Sequence, residues 1–231
     1  ESCTILMVMN MKKAVVFDMD GLMFDTETDY MNALNQYFKE NGYPLIEKDV
    51  YSTVCGMGDE PYYEMIDRHC RKKMNHEEIM DYVQKTRWNW MYTKGVPVKK
   101  GLYTLLDYLK KNGYILVVGS STDRKTVEKL LRMAEIYESF DYLVCGDMVQ
   151  NRKPAPDIFL KACEITGFQK TEMLILEDAM AGIEAACAAC MDVICVPDLV
   201  KPDEKHYKMA YKVVENLENV IDILENEKNN L

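Results

Sequence analysis

The first ordered pattern in the chain is "AVVF" (residues 14–17), a β-branched and aromatic run that ends in Asp-x-Asp-Gly. It predicts a buried strand meeting a loop. From Thr26 to Asn41 the period turns helical: "TETDYMNALNQYFKENG" puts Tyr30, Leu34, Tyr37 and Phe38 on one face, and Gly42 is a stop. "DEPYYEMIDRHCRKKM" and "NHEEIMDYVQKTRWNWMY" predict two more helices, with no strand of comparable strength between residues 27 and 93. "TKGVPVKKG" then breaks the pattern. Beyond it, helix and strand alternate. "LYTLLDYLKKNG", "DRKTVEKLLRMAEI", "APDIFLKACEITG" and "AGIEAACAAC" read as helices. "YILVVGSS", "FDYLVCGD", "EMLILEDA" and "DVICVPD" read as strands. A helix near 216–225 and a polar tail, "NEKNNL", close the chain.

Repeated αβ units with apolar strands predict an α/β fold, a doubly wound parallel sheet covered on both faces. The first strand is separated from the others by the helical stretch. The expected division is a core of residues 1–25 and 94–231 and a small helical cap domain of residues 26–93, inserted after the first strand. Such an insert lies over the strand ends, where doubly wound sheets bind ligands. Its two connections, near 25–27 and 93–100, are candidate hinges that admit substrate and then exclude water.

Composition narrows the function. The chain has 231 residues, 48% of them hydrophobic, enough for a real core. A formal net charge of -10 and a pI near 4.9 argue against a nucleic-acid or anionic-membrane binder. Any anionic substrate must be drawn by a few local cations or a metal. Cysteines at 3, 55, 70, 145, 163, 187, 190 and 195 are scattered, and read as reduced thiols of a cytoplasmic protein. Cys187 and Cys190 form one CxxC with no second pair and no nearby histidine, so they read as small residues on a helix face, not zinc ligands. The opening "ESCTILMVMNMKK" is too poorly organised for a secretory signal, and Met9 or Met11 is a candidate natural start; whether residues 1–8 belong to the natural chain stays open. No apolar run approaches a transmembrane length.

Four features carry candidate chemistry: Asp18-Met19-Asp20-Gly21, Ser120-Ser121 after "ILVVG", Lys153 in "NRKPAPDIF", and Glu177-Asp178 after "MLIL". Three of them end strands at the same, C-terminal, side of a parallel sheet. That gathers two acidic pairs, hydroxyls and a lysine around one crevice. Crowded carboxylates repel, and a divalent cation resolves the repulsion; an all-oxygen donor set points to magnesium over zinc. Carboxylate and metal together suit phosphoryl transfer, with hydroxyl, amides and lysine holding phosphate oxygens. Taken singly, each feature has a plainer reading: Asp-x-Asp-Gly as turn chemistry, Ser120-Ser121 and Glu177-Asp178 as helix caps, Lys153 as a solvated surface lysine. Their shared order and placement favour the site.

These residues resemble the haloacid dehalogenase (HAD) superfamily, in the capped branch of phosphatases and β-phosphoglucomutases. "FDMDGLMFDTE", "VVGSST", "RKPAPDIF" and "LEDAMAGIEAA" match its four motifs in order. The resemblance implies that Asp18 is a nucleophile forming an aspartyl-phosphate. Asp20 is then general acid and later base. Mg2+ is held by the Asp18 carboxylate, the Asp20 carbonyl and Asp178, with Glu177 at or just behind the metal shell. Ser120 and Lys153 bind phosphate, with Ser121 beside them, and Gly21 permits the turn. The chain also departs from the family. Tyr30 stands where the mutases have a histidine, and Asp59 where they have a phosphate-gripping arginine. Arg152 and Cys190 replace two family glycines. Arg124 reads equally well as a substrate contact or a solvated helix residue. Trp88 and Trp90 read as cap packing, and His69, His76 and His206 lie outside every motif. In the cap, Gly56, Met57 and Asp59 are the candidates for substrate choice.

The expectation is therefore a cytoplasmic, magnesium-dependent phosphatase, monomeric or a weak dimer, acting on a small phosphorylated metabolite of the sugar-phosphate or nucleoside-monophosphate type. A β-phosphoglucomutase-type phosphomutase is the alternative. A non-catalytic phosphate binder is the third reading, which would not need both Asp18 and Asp20.

Overall fold

A computed structural model describes residues 11–55 and 59–229. The candidate start Met9, Cys3 and the cap residues Gly56 and Met57 lie outside the described residues, as does the side chain of Asp59. Six strands, β1 (Ala14–Phe17), β2 (Ile115–Gly119), β3 (Tyr142–Val144), β4 (Met173–Glu177), β5 (Asp192–Cys195) and β6 (Lys212–Val213), form one parallel sheet. Their order is β3-β2-β1-β4-β5-β6. β1 sits in the middle. Its last residue, Phe17, pairs with Val118 on one side and Leu176 on the other. The three central strands therefore end level.

Alternate side chains of each strand enter opposite cores. Val15, Phe17, Leu116, Val118, Leu174 and Leu176 pack on one face beneath α5 (Leu102–Lys111), α6 (Arg124–Met133) and α10 (Val220–Asn229). Ala14, Val16, Val117, Met173, Ile175 and Val193 pack on the other beneath α7 (Asp157–Thr166) and α8 (Met180–Ala188). Burial on both faces explains why these strands read as continuous apolar runs. Three short elements escaped the sequence pattern: α2 (Lys48–Ser52), α9 (Glu204–Met209) and β6, whose two residues are exposed at the sheet edge. The tail read as polar continues α10 to Asn229, tied back by Lys228 to Tyr108.

The helical stretch consists of α1 (Thr26–Glu40), α2, α3 (Asp59–Cys70) and α4 (His76–Lys94). It has a hydrophobic cluster of its own, with Leu34, Phe38, Ile66, Ile79 and Val83 fully buried. We propose that residues 26–93 form a domain apart from that of 1–25 and 94–231. Trp88 and Met91, near the end of α4, pack against the sheet's core and not the cap's. The two connections are paired to each other: the Asp25 amide donates to Pro97 O at 2.8 Å and the Lys99 amide to Met23 O at 2.9 Å.

Cys190 ends the turn after α8 with φ at +58°, a left-handed conformation that costs any residue with a Cβ. A glycine, which the resemblance leads one to expect here, would adopt this conformation without that cost. Cys190→Gly is expected to stabilise the protein by about 0.5–1 kcal/mol in urea unfolding; no gain would show that the turn is not strained. Phe38→Ala is expected to loosen the cap by about 3–5 kcal/mol, while amide protection of β1, β2 and β4 in hydrogen exchange is unchanged. Joint loss of protection in cap and sheet would make them one folding unit.

Candidate active site

The level ends of β1, β2 and β4 deliver Asp18, Ser120 and Glu177-Asp178 to one crevice, as the sequence predicts. The Asp18 amide extends the ladder by donating to Leu176 O at 3.1 Å. Lys153 arrives from the loop between β3 and α7. Its ammonium donates to Asp18 Oδ1 and Glu177 Oε1, both at 2.5 Å, and to Gly119 O at 2.9 Å. All three ionic side chains are buried. Burial alone would depress Lys153, but Asp18 and Glu177 outweigh it and hold the ammonium above its ordinary pKa. Asp18 is pushed up to about 7 by burial, against the pull of Lys153 and with the repulsion of Glu177. Asp178 is raised well above the carboxylate range by burial, then by the charges of Glu177, Asp18 and Asp198.

Glycines make room for these carboxylates. A Cβ at Gly182 would stand 1.9 Å from the Glu177 carboxyl carbon. At Gly21, where φ is +86°, it would stand 2.2 Å from Asp178 Oδ2. Glu177 Oε2 accepts the amides of Asp178 and Ala179 at 3.1 and 3.3 Å. Both of its oxygens are thus engaged, which sets it behind the cluster as a brace. Asp178 Oδ1, in contrast, is buried with no hydrogen-bond partner among the described residues. Asp18, Glu177 and Asp178 can each bring one oxygen within 4.8 Å of the others. A buried acceptor lacking a donor, in an all-oxygen set, fits a hard divalent cation such as Mg2+.

Several functional residues were not singled out by sequence. Thr122 Oγ1 donates to Asp20 Oδ2 at 2.8 Å, orienting the second aspartate. Thr122 directly follows Ser121 in "VVGSST". Asp198, past the end of β5, lines the same cavity. It pairs through Oδ1 with Lys99, just past the helical stretch, and its Oδ2 is buried with no partner among the described residues. The strand-end rule that found Asp18 and Asp178 also points to Asp198. Glu27, on the first turn of α1, lines the cavity from the cap side with Cys55. Ser120 is buried and its Oγ accepts from the Thr122 amide at 3.1 Å; Ser121 lines the cavity beside it.

The other sequence candidates lie elsewhere. Arg124 pairs with Glu128 at 2.8 Å on α6. Tyr30 accepts from Gln84 at 2.6 Å, with the Arg87 guanidinium 3.4 Å from its ring centre. Trp88 packs on the core and Trp90 on the cap. Arg152 is exposed. His69, His76 and His206 bond to Pro44, Asp67 and the Asp203–Glu184 pair.

The raised pKa of Asp18 has a consequence with a defined sign. In the native, metal-free state it keeps its proton up to about 7, whereas an unfolded aspartate releases it near 3.8. The stability this contributes is present below 3.8 and lost as pH rises through 7. After chelation, Asp18→Asn is expected to gain on wild type in Tm by about 5 °C or more between pH 4 and pH 8. Parallel Tm profiles would show that Asp18 is not desolvated.

Known proteins resemble this chain over most of its length. The family model described as haloacid dehalogenase-like hydrolase matches residues 15–196. The "Probable pseudouridine-5'-phosphatase" of Drosophila melanogaster is 33% identical over 199 residues, covering 82% of this chain and 84% of its own. The phosphoglycolate phosphatase of Nitrosospira multiformis is 30% identical over 191 residues, covering 80% and 83%. Among solved structures, the β-phosphoglucomutase of Clostridium difficile superposes with a TM-score of 0.71 at 21% identity, covering 95% of this chain and 98% of that one. That last likeness speaks to the fold.

Proposed function

The chain belongs to the haloacid dehalogenase-like hydrolases, and on that premise we propose that it is a cytoplasmic, magnesium-dependent phosphatase of a small phosphorylated metabolite, a sugar phosphate or nucleoside monophosphate. The observation that carries this reading is the contact of Lys153 with Asp18 beside an Asp20 held by Thr122. It supplies a fixed nucleophile and a separate, oriented proton carrier in one crevice. The phosphatase relatives support it. Among the described residues, no helix is long and apolar enough to cross a membrane.

In this reading Lys153 fixes one oxygen of Asp18, and the other attacks phosphorus. As that O–P bond forms, the bond to the leaving alcohol breaks, and Asp20 gives its proton to the departing oxygen. Asp20 then takes a proton from water, whose oxygen attacks the aspartyl-phosphate and releases inorganic phosphate with Asp18 restored. The Ser120 hydroxyl meets a phosphate oxygen, and the Lys153 ammonium, whose three protons go to Asp18, Glu177 and Gly119 O, offsets the growing charge from beside it. Mg2+ held by Asp18, Asp178 and the Asp20 carbonyl would add positive charge at the phosphoryl oxygens. Glu177 keeps Lys153 and the start of the α8 segment in place. The β-phosphoglucomutase alternative shares Asp18 and Asp20 but needs a grip on a second phosphate. Tyr30 is committed to Gln84 and Arg87, which favours hydrolysis.

Phosphate release should be measured with magnesium across phosphorylated metabolites, with conversion of β-glucose 1-phosphate to glucose 6-phosphate followed separately. Asp18→Asn is expected to lose about 10³-fold or more in kcat, and Asp20→Asn about 10²–10⁴-fold. Chelation should abolish turnover and magnesium restore it. Isomerisation without release would establish the mutase instead.

A further inference from the structure

The crevice continues into a cavity of about 390 Å³ that runs from the strand ends to the helical stretch. At the sheet end, Lys153 stands among Asp18 and Glu177. At the cap end the wall is Glu27 and Cys55, with Leu199 and Val200 from the loop after β5. Leu199 and Cys55 also pack on the cap's own cluster, so this wall is shared by the insert and the loop after β5. Glu27 is held in place by the Tyr51 hydroxyl, which donates to its Oε2 at 3.3 Å. Lys153 is the one cation among the residues lining the cavity. Of the other cations around the crevice, Lys99 is paired with Asp198 of the lining, the buried Arg87 is held by Asp29 at 3.2 Å and by the Tyr30 ring, and Lys201, next after Val200, is exposed and not among the lining residues. Residues 1–10, 56–58 and 230–231 contain no Lys, Arg or His, and residue 59 is an aspartate, so none of them adds a cation.

We propose that Glu27 is the specificity-determining residue of the cap, and that it selects phosphomonoesters whose alcohol half is uncharged and offers hydroxyl or N–H donors, rejecting those that carry a second anionic group. The inference rests on the phosphatase reading and adds to it which half of the substrate the cap recognises. A carboxylate is acceptor-only, so it rewards a donor and repels an anion. Burial raises the pKa of Glu27 above the ordinary value, and the repulsion of Asp20 adds to that. A substrate hydroxyl relieves this desolvation, whereas a phosphate or carboxylate compounds it. The apolar Leu199 and Val200 suit the face of a sugar or base. Phosphoglycolate, bisphosphates and pyrophosphate are excluded on the same ground, whatever the relatives accept.

The test is kcat/KM of the magnesium-loaded wild type and Glu27→Gln on five compounds. Glucose 6-phosphate and uridine 5'-monophosphate are the neutral pair, phosphoglycolate and fructose 1,6-bisphosphate the anionic pair, and p-nitrophenyl phosphate the reporter of hydrolysis itself. Wild type is expected to favour the better neutral compound over the better anionic one by about 100-fold or more. Glu27→Gln should narrow that ratio about tenfold, mainly through KM. The wild-type ratio stands even if the variant does not fold. An anionic compound at the head of the panel, turnover of p-nitrophenyl phosphate alone, or an unmoved ratio in a folded variant overturns the inference and leaves the phosphatase reading standing. Absence of all hydrolysis, p-nitrophenyl phosphate included, overturns both.

Discussion

One buried ammonium holds the site together. Lys153 touches two carboxylates and a backbone carbonyl, all shielded from water. Remove it, and Asp18 and Glu177 become uncompensated charges in a low-dielectric interior, a state costing several kcal/mol. The cluster in turn shapes the chain around it. Glycine is required at 182 because the Glu177 carboxyl stands where a side chain would begin, and at 21 because Asp178 does. The strand ends must be level, or the lysine could not span them. Sheet register, glycine placement and a loop lysine thus answer to one electrostatic demand.

The fold was largely legible because its signals are strong and repeated. Continuous apolar strands alternating with helices admit few arrangements, and β1, β2 and β4 lie where their runs predicted. What escaped was short or exposed: β6 buries neither residue, so hydrophobic patterning leaves no trace of it. The chemistry was legible where residues ended apolar runs, as Asp18, Ser120 and Glu177-Asp178 do. It was not legible where partners come from distant segments. Nothing local to "VPD" says that Asp198 meets Lys99, a residue 99 positions away. Likewise nothing in "DTE" says that Glu27 faces a cavity and not solvent, since helical periodicity does not reveal what lies opposite a helix's first turn. Gly56 and Met57, offered by sequence as cap candidates, fall outside the described residues.

In the proposed reading, chemistry and selection are divided between two parts of the chain. The groups assigned to making and breaking bonds lie at the ends of the sheet's strands. Glu27 and Cys55, assigned to the rest of the ligand, lie on a helical stretch with a hydrophobic cluster of its own. The Lys99–Asp198 pair stands at their junction, tying the segment just after the insert to the loop after β5. Burial raises the pKa of Asp18 and Asp178 at one end of the cavity and of Glu27 at the other.

The insert leaves the sheet at Asp25 and returns at Pro97, and those two residues are hydrogen-bonded neighbours. Topologically it is a side loop closed at its base. No strand is contributed by the described residues between, so the strand order does not run through this segment, which meets the sheet's core through Trp88 and Met91. A lineage can therefore shorten, lengthen or exchange this segment and acquire a new ligand preference in a single recombination event. The two halves of the enzyme are free to evolve at different rates, the slow one carrying the reaction and the fast one its choice of substrate.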